Sequence, residues 1–272
     1  MNRINLLTAP VLLIFCILLL SWGVIGHRTV GMIAQKHLSN KAKAAVQELL
    51  GDTSLADVST WADEVRRKPE YEHTATWHDL YVPLGLNYHD FEQKVKGITE
   101  ENVYSALLKN EDMLVDKNTT RSQKTEALKF IIHFMGDLHQ PLHVGRFEDD
   151  GGSDIKININ GKNQSLHHVW DTYLLECQGL DYGQLAEKFG DASPRQIRQW
   201  QNDSLIVWLW ESYQISTLIY ARIDTMKTRN LDSGYYNANI GIINDRLQKA
   251  GIRLAGVLNK LFANGLTTSN AE

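Results

Sequence analysis

Two residue pairs in this 272-residue chain share one spacing and one chemistry. His133 stands four positions before Asp137, and His167 four before Asp171. Residues four apart on a helix project from one face, so each pair can offer an imidazole and a carboxylate to a single cation. The run Gln140-Pro141-Leu142-His143 follows the first pair, and Pro141 halts the helix so that His143 approaches from a loop. Taken singly, either pair also reads as a surface contact on a helix. Two such pairs with a further imidazole close by favour metal binding. Asp63, in Trp61-Ala62-Asp63-Glu64-Val65-Arg66, and His78, after a break at Pro69, read by themselves as solvated surface groups rather than ligands.

The N-terminus adds a donor of another kind. Residues 1–21 hold Arg3 and then the apolar run Val11 to Leu20, which has the charge and length of a signal peptide rather than of a membrane span. Ser21 is small enough for cleavage before Trp22, although Leu19 is bulkier than the usual residue at its position, and an uncleaved anchor is the alternative. Cleavage there leaves Trp22 as the first residue, five positions before His27. A terminal amine has a pKa of roughly 8, so it is readily deprotonated to bind a cation, and its carbonyl can close a chelate ring. Export would then complete a metal site. Cys16 leaves with the leader and Cys177 stands alone, so no intramolecular disulfide is expected and stability must come from packing and metals.

Several elements must position these residues. Val30, Ile33, Ala34 and Leu38 step at helical spacing, as do Leu128, Ile131, Ile132 and Met135. The same period runs from Asp203 to Ile223 and from Tyr236 to Phe262. A mainly α fold is therefore predicted, with a small β-hairpin where Ile155, Ile157 and Ile159 alternate with polar residues ahead of the turn pair Asn160-Gly161. No linker, repeat or low-complexity block interrupts the chain, so residues 22–272 are expected to form a single domain.

With these pieces assembled, the sequence resembles the zinc-dependent single-strand-specific nucleases of the mung bean type, with bacterial zinc phospholipase C as a more distant relative. The matching motifs are Trp22-Gly23-x-x-Gly26-His27, Trp61-Ala62-Asp63-x-x-Arg66, His78, His133-Phe134-x-Gly136-Asp137-x-x-Gln140-Pro141-Leu142-His143, and Gly151-Gly152 leading to Leu166-His167-x-x-Trp170-Asp171-Thr172. They span nearly the whole mature chain. The resemblance implies three Zn2+ per chain: Asp63, His78, His133 and Asp137 on the first, His143, His167 and Asp171 on the second, and Trp22, His27 and Asp137 on the third. It also implies the multi-helix fold of that family. His37, His73, His89, His139 and His168 match no ligand position and read as surface or satisfied core. Asp79 stands where many family members carry an aromatic, and Tyr81 where the fungal enzymes have an acidic residue of the base pocket, so base preference does not carry over. The lack of disulfide cysteines resembles bacterial members and points to a bacterial protein, periplasmic or secreted.

The chemistry so implied is hydrolysis of single-stranded DNA and RNA to 5′-phosphate products, with 3′-nucleotidase activity as a possible extension. Two ions sharing Asp137 would lower the pKa of a water between them toward roughly 7, and the resulting hydroxide would attack phosphorus. Asp63 would orient that water. Arg66, one helical turn from Asp63, reads either as a catalytic group that stabilises phosphoryl charge or as a surface salt-bridge partner. The formal net charge of −4, one unit more negative once Arg3 has left, argues against a polyanion binder until the six charges of three zinc ions are included. With no basic groove, duplex grip should be poor, whereas unpaired nucleotides can splay a base onto an aromatic. Trp77, Tyr81, Phe147 and Tyr173 are aromatics near the ligands, though core packing explains most such residues. No stable protein partner and a monomer are expected. The rival readings are a phospholipase C-type phosphodiesterase, against which Asp171 stands where Glu is typical, and a non-catalytic binding protein stabilised by zinc.

Overall fold

The computed structural model describes residues 23–266, so the leader, Trp22 and the last six residues lie outside the described part. The mainly α expectation holds. In chain order the helices are α1 (Gly23–Lys36), α2 (Asn40–Leu50), α3 (Leu55–Val58), α4 (Trp61–Val65), α5 (Tyr88–Lys96), α6 (Val103–Val115) and α7 (Arg121–Asp137). They continue as α8 (Leu166–His168), α9 (Leu174–Glu176), α10 (Tyr182–Phe189), α11 (Pro194–Asn202), α12 (Leu205–Asp224) and α13 (Ser233–Leu261). Among the described residues no helix is long and apolar enough to cross a membrane.

The axis of the core is α7. A capping box starts it: Gln123 N–H donates to the Thr120 hydroxyl oxygen at 3.3 Å, and Thr120 N–H to Gln123 Oε1 at 3.0 Å. Such a cap contributes roughly 1 kcal/mol. From Ala127 to Asp137 every residue except Lys129 is buried, so this half of the helix is nearly enclosed. A helix enclosed on all sides must be packed by others, here α1, α4, α6 and α13. Burial of Leu128, Ile131 and Ile132 stabilises by about 1.5–3 kcal/mol each. His133 and Asp137, at the end of this helix, are therefore interior groups and not a surface pair.

The predicted hairpin forms from β1 (Lys156–Ile159) and β2 (Lys162–Ser165), antiparallel with Ile157 opposite Gln164. Asn160 and Gly161 both have positive φ, 51° and 78°, as the tight turn between right-twisted strands requires. A third strand, β3 (Asn230–Leu231), pairs in parallel with β1. Two residues are too few to leave an alternating pattern, which is why the sequence carries no sign of it. Pro69, read as a break, instead opens a 3₁₀ segment, Pro69–His78, that carries His78 inward.

Two buried arginines of α13 clamp the end of α7 to α12. Arg246 donates from Nε to the His139 carbonyl at 3.1 Å and from Nη2 to the Ser212 hydroxyl at 2.8 Å, and Ser212 donates onward to the Leu138 carbonyl. Arg253 binds both Glu211 oxygens, at 2.7 and 3.0 Å, and donates to His139 Nε2 at 3.1 Å. Orphan carbonyls beyond a helix end are thus satisfied by fixed cationic donors. Burial works against the Glu211 charge, but the Arg253 bonds and the neighbouring Arg246 overcome it and lower its pKa from 4.5 to about 2. A depressed carboxylate pKa adds stability above the unfolded value and loses it as the pH falls through the folded one. Glu211→Gln should therefore destabilise the protein by roughly 3 kcal/mol at neutral pH, because buried Arg246 loses its carboxylate partner and Arg253 keeps only Asp203, at 3.5 Å. Urea unfolding should show that difference shrinking as the pH falls from 4.5 to about 2.

Candidate metal centre

Four side chains from three segments converge on one point. His78 Nδ1 lies 2.9 Å from Asp137 Oδ2, 3.1 Å from His133 Nε2 and 3.8 Å from Asp63 Oδ1. His133 Nε2 lies 3.2 Å from Asp137 Oδ2 and 3.7 Å from Asp63 Oδ1. A tetrahedral zinc with N and O ligands at 2.0–2.2 Å has ligand-to-ligand edges of about 3.3–3.6 Å, within the range these separations span. The outer nitrogen of His133 donates to the Ser59 carbonyl at 2.7 Å, which leaves the Nε2 lone pair facing the cluster. Asp63 and His78 are buried, not the solvated groups their local sequence suggests.

The other Asp137 oxygen faces a different imidazole. Its Oδ1 lies 3.3 Å from His27 Nε2, and the His27 ring stacks on His133 with centroids 4.0 Å apart. This approach exists because residue 136 is glycine: a Cβ there would fall 2.6 Å from His27 Nδ1. At the start of α1, Gly23 takes φ +46° and rests against the turn that carries Asp171, where a Cβ would meet the Thr172 hydroxyl at 3.0 Å. Trp22, the expected partner of His27, lies outside the described residues. His27 also falls within reach of Asp63 and His133 as a candidate metal-binding group.

A second centre is built from a loop and an irregular helix. Between α8 and α9 the chain widens into a π turn over Val169–Tyr173, so His167 and Asp171 span the irregularity rather than a regular helical turn. Such turns recur at functional sites. His167 Nε2 stands 3.1 Å from Asp171 Oδ2, and His143 Nε2 stands 3.5 Å from Asp171 Oδ1. Both outer nitrogens donate to carbonyls, His167 to Gly151 at 2.9 Å and His143 to His78 at 3.0 Å. Gln140 donates its side-chain amide to Asp171 Oδ1 and receives the Leu142 N–H on its carbonyl oxygen, which ties the loop to the turn. That role for Gln140 was hidden in a motif that only showed its position.

The donor set fits cations. Both ring nitrogens of His27 and both Asp63 oxygens are buried without a hydrogen bond, at about 1–3 kcal/mol per group, and a cation on one His27 nitrogen and on Asp63 would remove part of that cost. Burial opposes charge throughout the centre. Even so, Asp137 is held well below the usual carboxylate range by His133 and His143, and Asp171 is lowered by His167 and His143. Against the same burial, Asp137 and Asp63 raise His133, Asp79 and Asp137 raise His143 well above its ordinary value, and Asp171 raises His167. His27, by contrast, is pushed down by burial and by His133, and so is readily neutral.

All the predicted site residues within the described range gather here, and three candidate metal-binding clusters result. Arg66 sits at the rim with Nη1 3.5 Å from Asp63 Oδ1. Trp77 is not a free aromatic: its ring packs against Phe130 and Phe134, and its N–H binds Glu101 at 2.8 Å. Phe147 is 82% exposed. Among the unassigned histidines, His139 is fully buried in the arginine clamp, and His37, half-buried, bonds the Gly190 carbonyl at 2.7 Å.

Residues 22–263 match the family model described as S1/P1 Nuclease. Endonuclease 4 of Arabidopsis thaliana is 30% identical over 90% of both chains, and Endonuclease 2 of the same plant is 31% identical over 89% of this chain and 90% of its own. Nuclease S1 of Aspergillus oryzae is 28% identical over 88% of this chain and 91% of its own.

Protons and cations compete for the raised imidazoles. A raised histidine pKa stabilises the metal-free fold below the unfolded value of about 6.5 and loses that contribution as the pH rises through the folded value. Zinc should therefore raise the melting temperature of metal-depleted protein more at pH 8 than at pH 6, as calorimetry at both values would record.

Proposed function

The chain belongs to the S1/P1 nuclease family, and from that premise we propose that it is a zinc-dependent endonuclease that hydrolyses single-stranded DNA and RNA to 5′-phosphate products. Its named relatives are nucleases and endonucleases, which supports phosphodiester hydrolysis. The observation that carries the zinc reading is the division of Asp137, with Oδ2 toward His78 and His133 and Oδ1 toward His27. One carboxylate can thus serve two cations.

In this proposal Asp63, His78, His133 and Asp137 hold the first zinc, His143, His167 and Asp171 the second, and Trp22, His27 and Asp137 the third. Zinc in these sites supplies Lewis acidity toward phosphoryl oxygens and lowers the pKa of a coordinated water. Asp63 orients the attacking water from its unengaged oxygen. Arg66, partly exposed beside Asp63, reaches toward the phosphoryl oxygens and compensates their charge. His143, His167 and Asp171 would hold a cation whose charge would favour the departing 3′ oxygen. Strand selectivity is expected from the acidic net charge, because an unpaired nucleotide can turn its phosphate inward without the protein gripping a duplex. A leader of 21 residues, export to the periplasm or beyond, and one catalytic domain over residues 22–272 complete the proposal, and the family match begins at Trp22.

Zinc-loaded mature protein should cleave single-stranded DNA and RNA much faster than duplex DNA, spare phosphatidylcholine, and lose activity to a chelator. Cleavage of phosphatidylcholine alone would favour the phospholipase reading, and zinc binding without any cleavage the non-catalytic one. A methionine placed before Trp22 moves the chelating amine, so it should remove one zinc and lower activity at least about 10-fold, the usual scale for a disturbed metal shell. Zinc content by elemental analysis and initial rates check both.

A further inference from the structure

His143 differs from the other imidazoles of the centre in what stands behind it. The outer nitrogens of His133 and His167 meet neutral carbonyls, of Ser59 and Gly151. His143 Nδ1 meets the His78 carbonyl at 3.0 Å and also Asp79 Oδ1 at 2.8 Å. The N–H aims at the carbonyl, and the carboxylate flanks it. Asp79 Oδ1 is buried and makes no hydrogen bond of its own, and the His143 ring is what faces it, while the rest of the carboxylate is partly exposed.

The backbone holds this contact in register. Leu80 N–H donates to the His143 carbonyl at 2.7 Å and Val82 N–H to the Gly145 carbonyl at 3.1 Å, which lays residues 80–82 alongside 143–145. Val103 N–H donates to the Asp79 carbonyl at 3.1 Å and fixes that residue from its other side. Asp79 is therefore aimed by main-chain bonds on both flanks and does not depend on its own side-chain rotamer alone.

We infer that Asp79 is a positioning residue for the His143–His167–Asp171 site, a carboxylate whose charge favours the proton of His143 on Nδ1, where the His78 carbonyl receives it, and so keeps Nε2 turned toward a cation. The inference rests on the metal-binding reading above but not on nuclease activity. A carboxylate behind a ligating imidazole fixes its tautomer and raises its basicity, and loss of such a group weakens metal binding about 10–100-fold. It also adds a second negative charge to a cluster whose own carboxylate is Asp171 alone. An aromatic at this position, the common residue in the family this chain resembles, has no charge to lend.

The test is a competitive chelator titration of the zinc-loaded mature protein and its variants, read as zinc released. Asp79→Ala should weaken one zinc about 100-fold and leave the others in place, Asp79→Asn should weaken the same zinc about 10-fold, and Asp79→Glu should recover part of the loss. His143→Ala should release that zinc as well, and Asp79→Ala added to it should change nothing further. Circular dichroism of each metal-free variant checks folding, and if Asp79→Ala does not fold, Asp79→Asn carries the comparison. Parent-like zinc affinity in a folded Asp79 variant overturns the inference, and so does an undiminished effect of Asp79→Ala in the His143→Ala background. A protein that shows the Asp79 dependence but cleaves no nucleic acid would overturn the proposed function and leave this inference standing.

Discussion

A fully buried carboxylate is the constraint around which the rest is arranged. Asp137 has no access to solvent, and its oxygens lie 2.9 Å from His78, 3.2 Å from His133 and 3.3 Å from His27. A lone carboxylate in such a place would protonate or unfold its surroundings, since taking a charge out of water costs several kcal/mol even after relaxation. Three imidazoles answer that cost in part, and cations would answer it in full. The fold invests accordingly in the helix end that holds Asp137. The buried half of α7 fixes its direction, and Arg246, Arg253 and Ser212 fix where it stops.

The same logic runs outward from the ligand atoms. The carbonyls of Ser59, Gly151 and His78 each accept the outer N–H of an imidazole and so decide which nitrogen faces inward. These carbonyls come from irregular segments: the end of α3, the turn before the hairpin, and the end of the 3₁₀ segment. Irregular backbone is useful here because its acceptors are not consumed by helical bonds. Gln140 performs the matching task for Asp171. Metal selectivity and proton release should therefore depend on main-chain geometry as much as on the ligands themselves.

Much of this was legible in the sequence, for identifiable reasons. The helices were visible because apolar residues recur at their period, and the hairpin because Asn160-Gly161 demands a tight turn. The two His-x-x-x-Asp pairs were visible as chemistry, yet their depth was not, because spacing is the same on a surface helix and a buried one. The signal that separates them is the surrounding run from Ala127 to Leu138, in which Lys129 is the one charged residue besides Asp137. Asp63 and His78 looked like surface groups because each is short-range isolated; only the fold brings them to Asp137. The π turn and β3 carry no periodic mark, and the contact of Asp79 with His143 depends on pairing between segments some sixty residues apart.

In the proposed arrangement Asp137 would serve two cations at once, which would set the centre apart from a group of independent metal sites. Native mass spectrometry of the mature protein and of Asp137→Ala tests that claim directly. Three zinc ions in the parent and the joint loss of two in the folded variant are the predicted result, with the His143–His167–Asp171 ion retained. Loss of one ion or none would contradict it.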